Sequence, residues 1–237
     1  MKRTFKGYFI DFLVVFLGIV TSFFIDNRIK LNEKIETKNI LLEEFLVKID
    51  EDTQQLEKIQ EILSRCMQST DLLIDDYYNK TLSEDHLAEE FLYLSQNMGI
   101  SFFPQRGIYD QMLSSGSIEL IQAKELQMSL AMLYEHYAER NSAVNQAIDN
   151  FFTSTFENIY NEIVVFSEPS EENVIIYSGA LVRSYDISET YYSSRRVPYF
   201  YSQSQTLIRY YSDLMESYAS SFDDLKGKIK QELKKHI

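Results

Sequence analysis

Residues Tyr8 to Ile25 read YFIDFLVVFLGIVTSFFI, eighteen positions carrying one charge, Asp11. At ~1.5 Å rise per residue, a helix of that length covers roughly 27 Å, close to the thickness of a bilayer's hydrocarbon layer. Past Ile25 the chain turns charged at once (Asp26, Arg28, Lys30, Glu33, Lys34, Glu36, Lys38), and no Gly or Pro follows Gly18 until Gly99. Together these predict one membrane helix running without a break into a long water-exposed helix.

Lys2, Arg3 and Lys6 precede the apolar run as they would in a signal peptide. Cleavage, however, requires small residues after a short apolar stretch, and here the run continues through the bulky Phe23-Phe24-Ile25. The segment is therefore read as an uncleaved anchor. The chain has 237 residues and a net charge of −13. Without residues 1–25 it keeps 20 basic and 35 acidic residues, a balance of −15. So acidic a body repels phosphate backbones, which argues against nucleic-acid binding, and it should not lie flat on an anionic leaflet. A single cysteine, Cys66, excludes an intramolecular disulfide and any multi-Cys metal site, and the three histidines lie far apart in sequence. Seventeen Tyr and sixteen Phe with no Trp predict an aromatic core with wet edges, or a partner-binding face in the last third, where nine of the tyrosines fall.

The breaker-free tract after the span carries Leu31, Ile35, Leu42, Phe45, Ile49, Leu56, Ile59, Leu63 and Cys66 at alternating steps of three and four, or skipping one step. These are the apolar positions of a heptad, interrupted by Lys38 and Asp52. Such a coiled-coil seam could meet a second copy of the chain or a later helix of the same chain. Ser83 is placed to cap a helix over Leu82–Met98, and Gly116 to close a short helix over Ile108–Ser115. A long helix is expected from Lys124 to about Val165, and a last one from Tyr199 to Lys235, with lysines at its end that suit the helix dipole. Val174-Ile175-Ile176-Tyr177 reads as a strand or a helical turn. The expected architecture is all-α. An N-terminal tail and transmembrane helix (1–25) continue into an amphipathic stalk (26–80), followed by a helical bundle (81–237).

Several of these residues carry a resemblance. Tyr8-Phe9-Ile10-Asp11, Asp26-Asn27, the segment Tyr109-Asp110-Gln111-Met112-Leu113-Ser114-Ser115-Gly116-Ser117-Ile118-Glu119-Leu120-Ile121, and Tyr134 with Tyr137 are similar to features of an uncharacterised family of bacterial single-span membrane proteins. The likeness covers the anchor and residues up to about 140. It implies an architecture and a bacterial membrane, and no biochemical activity; the expected location is the inner membrane, with a single pass. Residues Phe9 to Val15 also resemble the single span of ExbD/TolR-type proteins, in which an aspartate near the start of the span belongs to a proton path. That likeness ends with the span, where a long charged helix stands in place of that family's linker and small α/β domain.

A carboxylate inside a span is costly and raises a functional hypothesis, either ion or partner contact within the membrane or simple access to headgroups. Gly7, Asp11, Gly18 and Ser22 are spaced by four, seven and four, so they share one helix face of small and polar residues of the kind that lets membrane helices approach. Elsewhere the chemistry is thin. Glu135-His136 with Glu139-Arg140 reads as a solvated or hydrogen-bonded histidine and not as acid/base chemistry. Arg195-Arg196 among tyrosines is expected to form intramolecular ion pairs. No phosphate loop, nucleophile elbow or zinc motif occurs in the sequence, so no catalytic, cofactor or metal residues are assigned. The expected function is that of a self-associating, non-enzymatic membrane scaffold or sensor. The alternative is an ion- or proton-conducting component that uses Asp11. Expected partners are the lipid bilayer, further copies of the chain and a possible partner membrane protein. The basic tail before the span favours a periplasmic body.

Overall fold

A computed structural model describes residues 5–169 and 180–235, so Val174 to Tyr177 lie outside the described residues. The first helix, α1, runs unbroken over Phe5–Asn79. Its 75 residues extend about 110 Å, as a tract without Gly or Pro after Gly18 allows. It ends at Lys80, whose φ of 53° turns the chain in the left-handed region. The turn is held by the buried Asp76 carboxylate, which accepts from the Leu82 backbone N–H at 2.7 Å and from the Tyr192 hydroxyl at 3.0 Å.

Four further helices follow in the first two-thirds of the chain. Helix α2 (Glu84–Asn97) starts at Ser83, whose hydroxyl accepts from the His86 N–H. Helix α3 (Gly107–Ser114) is followed by Gly116 at φ 70°, a backbone conformation that costs a residue without Cβ nothing. Helix α4 (Lys124–Ala131) passes through one π-helical stretch, Met132–Tyr137, into α5 (Ala138–Ile159). The expected continuation to Val165 gives way to strand β1 (Ile163–Pro169), paired antiparallel with β2 (Ala180–Ile187) and bulged between Phe166 and Ser167. The cause is local. Ile163-Val164-Val165 are β-branched and lose rotamer freedom in a helix, whereas they suit a pleated surface. The hairpin rests on α2, and with 80% of the chain helical the class is all-α.

The last helix, α6 (Arg196–Lys234), decides what the seam of α1 meets. Val197, Tyr201, Ser204, Ile208, Tyr211, Met215, Tyr218, Phe222, Leu225, Ile229 and Glu232 step by four and three without a break, and all are buried. On α1, Lys38, Leu42, Phe45, Ile49, Asp52, Leu56, Ile59, Leu63, Cys66, Thr70 and Leu73 do the same. The two seams face each other antiparallel, as contacts along their length show. Lys38 meets Glu232, Lys226 meets Asp50 at 2.7 Å, the Gln205 amide meets Asp71 at 2.6 Å, and the Tyr77 hydroxyl donates to the Ser194 carbonyl. Of the expected seam, Leu31 is exposed and Ile35 half-buried, because α6 ends level with them. From Leu41 onward the apolar face of α1 packs into the same core as the later helices and forms one wall of the bundle.

Cys66 lies on this seam with no exposed surface, and burial pushes its thiol up to about 12, with the nearby Arg65 only partly opposing. The folded protein should leave Cys66 unreacted with maleimide near neutral pH and form no disulfide-linked dimer under mild oxidation. Denaturant should release full reactivity. Rapid labelling of the native protein would contradict the internal seam.

Candidate functional site

From Phe9 to Ile25 the described side chains of α1 are exposed around the whole helix, Phe23 at 66% and Val14 at 65%. No other described residue covers them. It is the one helix long and apolar enough to cross a membrane among the described residues. Asp11, Gly18 and Ser22 all lie on this uncovered stretch, and open space surrounds Gly18. Gly7 belongs to the same helix, and only its backbone is described. The four residues thus fall on one continuous helix, one face of which is buried in the body from Lys38 onward. The helix carries no intervening loop to absorb a displacement of the span.

Where α1 enters the body, Lys38 and Glu232 form a fully buried ion pair at 3.4 Å. The Glu232 carboxylate also accepts from the backbone N–H groups of Gln122 at 2.7 Å and Ala123 at 3.2 Å, and from the Lys235 ammonium at 3.3 Å. Burial by itself would raise the carboxyl. These donors outweigh it and hold Glu232 below the usual carboxylate range. A second polar knot joins α1 to α2. The Arg65 guanidinium grips Glu90 with two bonds of 2.7 Å, Ser69 donates to the same carboxylate at 2.7 Å, and the guanidinium lies over the Tyr93 ring.

Deeper in the bundle the π-helical stretch sets Tyr134 against Tyr109, stacked at 5.4 Å between centroids, with the Phe45 ring edge-on at 5.3 Å. Tyr109 in turn donates to Glu135 at 2.5 Å. Close by is the buried Asp52, one of whose oxygens accepts from the Gln105 N–H at 2.9 Å. Its other oxygen and the hydroxyls of Tyr134 and Tyr218 find no hydrogen-bond partner among the described residues. Burial raises the Asp52 carboxyl, against the lowering effect of Gln105, and its charge in turn helps to raise the Tyr134 and Tyr218 phenols. The arrangement holds a carboxyl and two phenols in an apolar setting.

The remaining candidates separate. His136 is exposed, in ring contact with Tyr137, and its neighbour Glu135 is occupied by Tyr109. Arg195 and Arg196 are exposed at the start of α6 and make no ion pair among the described residues, contrary to expectation. Among the described residues no group of three His, Cys, Asp or Glu is placed to hold a metal. In the periodicity of α1 alone, Lys38 and Asp52 stand only as interruptions. The signal that pairs Lys38 with an acid was present in the α6 heptad, which runs from Val197 and ends on Glu232.

No family model matches the chain, and neither a curated protein nor a solved structure is detectably similar to it. The functional reading rests on the residues themselves.

Two outcomes follow from the buried carboxylates. Glu232→Leu strands a buried ammonium and two backbone donors, and should cost on the order of 3–5 kcal/mol in denaturant unfolding. Lys38→Met should cost less, because Glu232 keeps three donors. The Asp52 carboxyl has a folded value above its unfolded one. Its ionisation therefore weakens the fold as pH rises from the unfolded value through the folded one. Asp52→Asn should raise stability at neutral pH, with the gain vanishing near pH 4, about the unfolded value of an aspartate. A gain that persists unchanged at acid pH would refute the ionisation account.

Proposed function

We propose that this chain is a single-pass membrane protein whose helical body is rigidly joined to its span, and that it works as a non-enzymatic scaffold or sensor by self-association within the membrane. The observation that carries this reading is the continuity of α1, which is uncovered from Phe9 to Ile25 and buried in the body's core from Lys38 onward. A helix without a hinge passes rotation or tilt of one end directly to the other. The heptad seam is occupied by α6, so association between copies falls to the span, where Gly18 and Ser22 with Asp11 and Gly7 form the face of closest approach. The basic tail before the span favours the body on the periplasmic side of a bacterial inner membrane.

Asp11 favours a second reading, in which copies of the span or a partner membrane protein build an ion or proton path. It is the one charge in the run from Tyr8 to Ile25.

Gly18→Leu combined with Ser22→Leu should shift the full-length chain in detergent from oligomer to monomer, as read by light scattering, without change in helix content. A wild-type chain that is monomeric at all concentrations, or an oligomer indifferent to both changes, would overturn self-association through the span. Asp11→Asn separates the two readings, since a scaffold keeps its assembly and function while a conduit loses flux in proteoliposomes with assembly intact.

A further inference from the structure

The acidic chain carries its exception at one end. Residues 26–38 and 228–235 hold eight basic residues (Arg28, Lys30, Lys34, Lys38, Lys228, Lys230, Lys234, Lys235) against four acidic ones (Asp26, Glu33, Glu36, Glu232). The two segments are nearly two hundred residues apart in sequence. The antiparallel pairing of α1 and α6, pinned by Lys38 on Glu232, sets them side by side at the end of the body from which the span emerges. The adjoining stretch that donates to Glu232 adds Lys124 between Glu119 and Glu125, so the end remains positive while the rest of the body is strongly negative.

The state of these cations matters as much as their number. Lys30 is paired with Asp26, Lys228 with Asp224, Lys235 with Glu232, and Lys38 is buried. Lys34, Lys230 and Lys234 are exposed and have no acidic side chain within ion-pair distance among the described residues.

The span places the bilayer. With Lys38 opposite Glu232 and the helices antiparallel, Lys235 stands level with about residue 35, ten residues past Ile25 and roughly 15 Å from the hydrocarbon edge if α1 stands upright. The headgroup layer fills about 5–8 Å of that distance on each side. An extended lysine side chain shortens the remainder, which falls within the screening length of about 8 Å at physiological salt. A tilt of α1 brings the lysines nearer still.

We propose that this membrane-facing end is a basic collar that docks the body on anionic lipid headgroups, with Lys34, Lys230 and Lys234 as its free cations. The proposal rests on the reading of α1 as a membrane anchor. The acidic flanks are repelled by the same leaflet, so attraction at the end and repulsion along the sides both hold α1 upright rather than letting the body lie down. Lipid charge then becomes an input to the rigid rod, because the angle between body and bilayer is also the angle of the span.

The test uses the full chain in nanodiscs of phosphatidylcholine alone or with phosphatidylglycerol. A fluorophore is attached at Gln231→Cys, an exposed site between the lysines, and buried Cys66 does not compete for the label. Quenching by headgroup-attached spin labels should be at least twofold stronger in anionic discs and fall to the neutral-lipid level in high salt. The triple variant Lys34→Gln, Lys230→Gln, Lys234→Gln should abolish the lipid dependence while leaving helix content unchanged. Equal quenching in both lipids, or lipid dependence that survives in the triple variant, would overturn the collar while leaving the anchor intact. A wild-type chain that does not enter the discs at all would overturn the anchor, and the collar with it.

Discussion

The ion pair between Lys38 and Glu232 is the constraint on which the rest of the arrangement depends. Two charges with no exposed surface are tolerated only when each meets the other and the remaining lone pairs are satisfied, and here the Gln122 and Ala123 amides and Lys235 complete the shell of the carboxylate. Sliding α6 by one heptad would set Lys38 against the apolar layer of Leu225 and leave Glu232 without its cation. Apolar heptads tolerate such slips. A buried pair does not, so one polar layer selects the register for some forty residues on each helix. Asp52 acts similarly further along, since its bond to the Gln105 amide ties α1 to the connection before α3.

That register has a consequence at the scale of the whole molecule. The end of α6 returns to the place where the apolar stretch of α1 leaves the body, and the far end of α1 is closed by Asp76, Tyr77 and Tyr192 against the segment before α6. The body is thus stitched at both ends of one helix pair, with α2 to α5 and the hairpin filling the sides. The exposed apolar stretch Phe9–Ile25 is continuous with a helix whose apolar face is packed in the core from Leu41 onward.

Much of this was legible in the residues. The unbroken α1, the Ser83 cap, the left-handed Gly116 and the helical nature of the last forty residues all follow from local chemistry. The hairpin is not legible in the sequence because apolar residues at Ile163, Val164 and Val165 fit either period over so short a run, and only their β-branching favours a strand. The π-helical stretch that seats Tyr134 between Tyr109 and Phe45 leaves no mark in the sequence, since it adds no breaker and changes the phase by a single residue. The buried carboxyl at Asp52 looked like a flaw in a seam until its partner amide came from a distant connection.

The sequence by itself determined that an apolar helix near the N-terminus passes directly into a charged one, because hydropathy, length and the absence of Gly and Pro act locally. It also determined that a heptad seam exists on α1. Tertiary structure alone decided what that seam meets, since two apolar stripes of equal period are chemically interchangeable whether they belong to one chain or two. The choice fell to α6 because its stripe ends on an acid where that of α1 begins with a base. The same pairing gathered the scattered lysines at one end, since the position of a charge in space is set by packing between elements and not by neighbours along the chain.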